Sequence, residues 1–485
     1  MPRKFFILFI AIITSLSATS QVRLYRKLPE LELSSVFKVE VRQGKKPFEE
    51  IYTYGLPVTE RVLVTKNEHI AMFGFEPASG PAEVRISSLK GEKWNENSIE
   101  LVNKMYQGIS IRFNGRSFYI TINNPKKQLF IRLKNDPGNP LNLFADPVKE
   151  TPVPADANVF RFEASDKPYV QTAQYDRFTV PNDVDVVYIE DGALVKGTIH
   201  TDNGRNKPLR IMGRGAVIGN GGILNGASNI PYNAIVATKS AGNSIEGILV
   251  LKSRHFSMDI GEEGHIDNVK LFGYAYNNDG IVAGNKSIIE NSFLKVNDDH
   301  IKLYHDSVTV KNCVFYVQTN GAVFQFAWNR INPGDYCLVE NCEVVAVEYE
   351  GCGDPVTSTG GLAHCLISLR EQQEDGRELV NTTIRNILVQ GQLLRFIGIN
   401  GYSQKGVNIK NLVVENINVI SPPKNYSWIY AKDQYSVNIS FKNIVFGARA
   451  LSNSDFKTQG QVNLIFDGKA NPYNGKITEP GMNNN

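Results

Sequence analysis

The sequence predicts an all-β protein, a right-handed parallel β-helix preceded by an N-terminal β-sandwich. Three observations carry this. The second half repeats the form apolar-x-Asn-apolar-x-apolar at recurring intervals. The first part reads as short, partly alternating strands separated by turn residues. A Pro-rich stretch lies between the two. Hydrophobic residues make up 42% of the 485, enough for a sizeable core. Forty Gly among many Val, Ile and Asn suit strands with frequent turns.

The first twenty residues are expected to be a secretory signal rather than fold. Arg3 and Lys4 form a basic start, Phe5 to Ile13 is an unbroken apolar run, and Ala18-Thr19-Ser20 offers small residues for cleavage near Ser20. The run is too short for a bilayer span of ~20 residues. No later stretch is apolar enough, so no membrane span is expected in the mature protein. The expected location is secreted or periplasmic. Without Arg3 and Lys4, the 52 basic residues fall to 50 against 49 acidic ones. That balance argues against nucleic acid or an anionic polymer as the general partner.

Residues 21–155 are read as the sandwich module. Its strand candidates include Val62–Thr65, Ala82–Ile86, Ile109–Phe113 and Leu129–Leu133, with turns at Asn114-Gly115 and Asn123-Asn124-Pro125. Asp136 to Asp156 holds five Pro, a composition that suits an extended surface connector. Residues 156–470 are read as the β-helix. Its recurring Asn falls at 268, 291, 312, 341, 386 and 411. The 45-residue interval between Asn341 and Asn386 implies a loop or an unmarked coil. An Asn at the same bend of each coil can pass hydrogen bonds up the stack. Residues 471–485 read as a tail rich in Asn, Gly and Pro.

Of the five Cys, Cys313 and Cys342 each follow a repeat Asn and read as small buried thiols. Cys352 and Cys365 flank a Gly-rich loop and could pair in an exported protein. With no CxxC pair, a structural zinc site is not expected.

The chemistry-bearing signal is a pair of acidic clusters one repeat apart. Asn277-Asn278-Asp279-Gly280 is followed twenty residues later by Asn297-Asp298-Asp299-His300. On neighbouring rungs, ~4.8 Å apart, Asp279 would stand beside Asp298 and Asp299. Crowded carboxylates of this kind suit sugar-bond hydrolysis. Turn capping and a three-acid cation site are the rival uses.

These two motifs resemble the paired-Asp motifs of polygalacturonase-like β-helix glycosidases. Val323-Phe324-Gln325-x-x-Trp328 one coil later, and the sandwich in front, resemble glycoside hydrolase family 49, which contains dextranases and isopullulanases. The resemblance implies an inverting mechanism without metal or cofactor. It implies Asp298 as general acid and Asp279 with Asp299 as the water-activating pair. The polygalacturonase slot for Gly-His-Gly reads Thr319-Asn320-Gly321-Ala322, and no Arg-Ile-Lys follows. The groups that would bind uronate carboxylates are therefore missing from their expected places, which favours a neutral glycan.

Lys302 and Gln325 share outward parity with the acids and are candidates for sugar hydroxyls. Trp328, Tyr276 and Tyr304 are candidates for stacking on sugar rings. Arg330 and Arg370 are further candidates for substrate contact, and His300 either tunes the Asp pair or fills a coil. The expected function is cleavage of an α-linked neutral glycan, first a dextran-type α-1,6-glucan. The alternatives are an exo-acting α-galactosidase, a polygalacturonase-like pectin hydrolase, and a non-catalytic glycan-binding β-helix.

Overall fold

A computed structural model describes residues 22–58, 63–106, 109–170, 177–201, 203–219, 233–253, 255–328, 331–349, 364–370, 374–399, 406–432 and 434–468. The signal segment and its cleavage site, the tail from 471, Cys352 and Arg330 lie outside the described residues. No described helix is long and apolar enough to cross a membrane.

The N-terminal part is two packed sheets. One runs Glu49–Ile51, Phe37–Gln43, Ala82–Ser88, Ser117–Ile122 and Ile109–Asn114, all antiparallel. The other centres on Asn67–Phe75, Leu141–Pro147 and Lys127–Leu133. Between them lies a core of Val39, Val41, Phe73, Phe75, Val84, Phe118, Leu129 and Leu143.

Two expectations are corrected here. Leu141–Pro147 is not a surface connector but a strand inside the second sheet, with Leu141 to Asp146 all buried. Its Pro sits at the strand end, where the missing N–H does no harm. Between the prolines, Leu141-Asn142-Leu143-Phe144-Ala145 packs both faces: Leu141, Leu143 and Ala145 inside the sandwich, Phe144 against the β-helix. Leu63 to Thr65 form loop rather than strand, and Val62 lies outside the described residues. The Val64 amide donates to Glu348 and Thr65 accepts from Lys295, so this apolar run serves the seam between the two parts.

From Val159–Phe162 onward the strands stack in parallel. A coil supplies three short strands, for example His265–Asp267, Lys270–Phe272 and Ile281–Ala283. The next supplies Ile288–Glu290, Phe293–Val296 and Ile301–Lys302. Their inward Ile, Leu, Val and Phe fill one continuous core from Phe162 to Phe456. The Asn ladder stands at the bend between first and second strands. Asn268, Asn291, Asn312, Asn341 and Asn386 all have φ between 49° and 56°. That left-handed bend is one that Asn tolerates better than most residues. Side-chain amides bond rung to rung, as from Asn386 to Asn341 at 3.0 Å.

The next ladder member is Asn416, which bonds Asn386 at 3.2 Å and is bonded in turn by Asn443 at 3.1 Å. The expected member, Asn411, bonds Asn381 in a separate pair. The motif fits both positions because Val414-Glu415-Asn416-Ile417 has the same form; the register, with Arg385 opposite Glu415 and Ile387 opposite Ile417, makes Asn416 the one that continues the ladder. The 45-residue interval is a single coil, since Val339 pairs directly with Ile384.

From Leu194 to Ala346 the second strand of the coils faces the sandwich. Its outward side is therefore apolar too: Leu194, Leu249, Leu251, Phe272, Phe293 and Val314 pack on Ile70, Met72, Phe130 and Phe144. Two lysines interrupt this seam without any exposure. Lys270 pairs with Asp146 at 2.6 Å, and Lys295 with Glu68 at 2.8 Å.

Candidate active site

The acids sit at the corner that leads into the third strand. Ile281 pairs with Ile301 on the next rung, so Asp279 and Asp299, each two residues earlier, stand on adjacent rungs. Side-chain amides build this corner. Asn278 donates to the His255 carbonyl at 2.8 Å, and Asn297 donates to the Tyr274 carbonyl at 2.8 Å, each one coil back. Thr319 on the following coil donates its amide and hydroxyl to Asn297. This accounts for Asn preceding Asp in both motifs. Gly321 has φ +73°, and a Cβ there would lie 2.4 Å from the Asp298–Asp299 peptide, so this rung can close only over glycine.

One oxygen from each of Asp279, Asp298 and Asp299 lies within 4.8 Å of the others. Asp279 and Asp299 are buried, while Asp298 is half-buried. Asp299 accepts from the Ala322 amide at 2.7 Å. Asp298 accepts from the Asp299 amide at 3.0 Å and from Asn320 at 2.6 Å. Lys302 closes the cluster. Its ammonium touches Asp279 at 2.6 Å, donates to Asp299, and donates to Gln325 at 3.0 Å. The rings of Phe256 and Tyr304 flank it at 5.4 and 5.7 Å, and the Tyr304 hydroxyl donates to Gln325.

Electrostatics separates the acids. Burial, reinforced by the Asp299 and Asp279 charges, lifts the Asp298 carboxyl well above the usual range. Burial lifts Asp279 to about 7, with Lys302 opposing and Asp299 adding to the rise. Burial works against the Lys302 charge, but Asp299 and Asp279 outweigh it and hold the ammonium protonated. The three carboxylates are close enough to hold a cation between them, but the Lys302 ammonium already neutralises two of them. A proton donor and a nearby base are what such a cluster provides chemically.

The other candidates divide. Lys302, Gln325 and Tyr304 join the cluster, although Lys302 already meets three protein acceptors. Trp328 is half-buried with the Arg370 guanidinium 3.8 Å over its ring, so one face is taken. Tyr276 is 65% exposed beside the Asp279 turn. His300 is buried under the corner, bonded to the Tyr316 carbonyl at 2.9 Å and packed on Phe315. Sequence reasoning passed over Phe256, Asn320, Tyr349 and His364. His364 comes 44 residues after its partner Asn320, beyond the reach of any local motif. Cys313, Cys337 and Cys342 are buried thiols.

A raised carboxyl gives stability that is present below the unfolded value and lost as pH rises through the folded one. For Asp279 the window runs from about 4 to about 7. Asp279→Asn is therefore expected to melt above the wild type at pH 8 and to match it near pH 4. Thermal melting at both pH values checks this; a lower melting point at pH 8 would contradict the electrostatic reading.

A parallel β-helix with three carboxylates gathered at one corner has the architecture of the β-helix glycosidases. No family model matches the chain. It is 29% identical over 189 residues to a dextranase of Arthrobacter sp. (strain CB-8), covering 34% of this chain and 29% of that protein. It is 23% identical over 285 residues to an isopullulanase of Aspergillus niger, covering 53% and 50%. The chain thus spans half or less of the length of these curated relatives. Dex49A from Penicillium minioluteum superposes with a TM-score of 0.74 at 14% identity, over 91% of this chain and 96% of that one, and so shares the fold. The chain is thus similar in sequence to dextranases and an isopullulanase, and it shares the fold of Dex49A.

Proposed function

We propose that the protein is an exported inverting glycoside hydrolase acting on an α-linked neutral glycan, with dextran-type α-1,6-glucan as the first candidate. The observation that carries this is the cluster of Asp279, Asp298 and Asp299, in which burial and the two neighbouring acids raise the carboxyl of the half-buried Asp298 well above the usual range. Asp298 gives its proton to the glycosidic oxygen as the C1–O bond breaks. A water held by Asp279 and Asp299 attacks C1 from the other side and passes its proton to that pair. Names of relatives support the substrate class: a dextranase and an isopullulanase. A neutral sugar is supported by Lys302, whose charge is already matched by two acids. Export is supported by the basic start and apolar run of residues 1–20. Incubation with a panel of dextran, pullulan, pectin and galactoside substrates, with product analysis, tests the reading; turnover of none of them would refute it.

The compactness of the cluster favours a second mechanistic reading. Inverting sites generally separate their carboxyls by ~6.5–9.5 Å and retaining sites by ~5–5.5 Å. The spread of 4.8 Å between nearest oxygens lies nearer the retaining range. Product stereochemistry decides. Inversion of an α-linkage releases the β-anomer first, which is the expected result by NMR on fresh product; early α-anomer would assign one carboxylate as nucleophile.

A further inference from the structure

The Asp298 carboxyl is held by more than its neighbours in the motif. Asn320, one coil later, donates from Nδ2 to Asp298 Oδ2 at 2.6 Å. The amide Oδ1 of Asn320 then faces His364 Nε2 at 2.9 Å. His364 stands immediately before strand Cys365–Leu369, the rung that follows Phe324–Gln325. Its ring stacks on Tyr349, with centroids 5.3 Å apart and planes 21° apart. The Tyr349 hydroxyl returns to the same turn and donates to the Gly321 carbonyl at 3.0 Å. Three coils thus close a ring of contacts around the Asn320–Gly321 turn.

We propose that His364 is a positioning residue for the proton donor, fixing the Asp298 carboxyl through the Asn320 amide so that its proton points at the glycosidic oxygen. The inference rests on the role given to Asp298 above. An amide that donates to a carboxylate with one end must accept with the other, and a neutral imidazole protonated at Nε2 supplies that donor. Burial depresses the His364 ring to about 4, so it stays neutral and adds no charge beside the acid. Its Nδ1 is buried without a hydrogen-bond partner, which leaves Nε2 as the nitrogen that carries the proton. Without His364 the Asn320 side chain can rotate, and Asp298 Oδ2 loses its fixed contact.

The test uses leaving groups that differ in their need for a proton. Dextran requires one, whereas α-isomaltosyl fluoride departs as fluoride without general-acid help. His364→Ala is expected to lose about 10–100-fold in kcat on dextran, the cost of a misplaced group. KM should change little, and activity on the fluoride should stay near wild type. Asn320→Ala should show the same contrast, and His364→Gln, which can still donate to Asn320, should recover most of the loss. Melting curves identify any variant that fails to fold, in which case Asn320→Ala and His364→Gln carry the comparison. Equal losses on both substrates, or no loss on dextran, would overturn the proposal. Asp298→Asn is run alongside. If it too loses the fluoride reaction, the donor assignment itself falls; if it spares fluoride while His364→Ala does not, only the positioning role falls.

Discussion

Asp298→Asn is expected to lower turnover on the protein's glycan by on the order of 10²–10⁴-fold, the usual worth of a positioned proton donor. Asparagine keeps the shape of the side chain and its acceptor toward the Asp299 amide, so the fold should persist and the melting point should move little. What disappears is the proton of a carboxyl that burial and two neighbouring carboxylates raise well above the usual range. Asp279→Asn and Asp299→Asn should also be impaired, through water activation. Turnover of purified variants beside their melting curves measures both. Near-normal turnover in the Asp298 variant would remove it from the donor role.

The largest expected effect on stability lies far from the acids. Lys295→Met is expected to cost ~3–5 kcal/mol, the range for stripping one partner from a buried ion pair. Lys295 and Glu68 have no exposure and meet at 2.8 Å. Glu68 would keep the Asn142 amide and the Tyr274 hydroxyl, but lose its countercharge. Burial already raises the Glu68 carboxyl, so the loss should shrink at acid pH, where a neutral carboxyl is no burden. Replacing both residues, as in Lys295→Met with Glu68→Leu, should recover most of the stability. Guanidinium unfolding of the single and double variants tests this. A single variant within about 1 kcal/mol of wild type would mean that water or Glu68 protonation relieves the site.

The β-helix was legible because its stabilising device is local and repeated. Asn268, Asn291, Asn312, Asn341 and Asn386 each fill the same left-handed bend, which Asn tolerates better than most residues and where its amide bonds the next rung. Asn411 misled because the short motif occurs twice within one 13-residue strand and cannot say which copy lies level with Asn386. Leu141–Pro147 misled in the opposite sense: proline content outweighed the alternation of a strand buried on both faces. At the site, the juxtaposition of Asp279, Asp298 and Asp299 could be read from spacing, because stacking converts a repeat length into adjacency. Lys302 was legible as outward-facing, but its pairing with two acids was not. His364 and Tyr349 were hidden, since they lie 44 and 28 residues from their partners Asn320 and Gly321, separations that the repeat does not dictate. The docked sandwich explains why the outward row Leu249, Phe272 and Phe293 is apolar.

That docked sandwich also changes how the stack fails. A solenoid held only by nearest neighbours loses coils from its ends inward. Here the sandwich lies along the coils from Leu194 to Ala346 like a splint bound to a cane. Those coils can part only if the splint lifts as well, so they share one fate. The coils of Val407–Val419, Ser436–Phe446 and Gln461–Phe466 contribute no residue to that seam among the described residues and are held by pairing with neighbouring coils. Wear by heat or protease therefore starts at the carboxyl end and travels toward the brace. The three acids sit within the braced length, among the last parts of the stack to come undone.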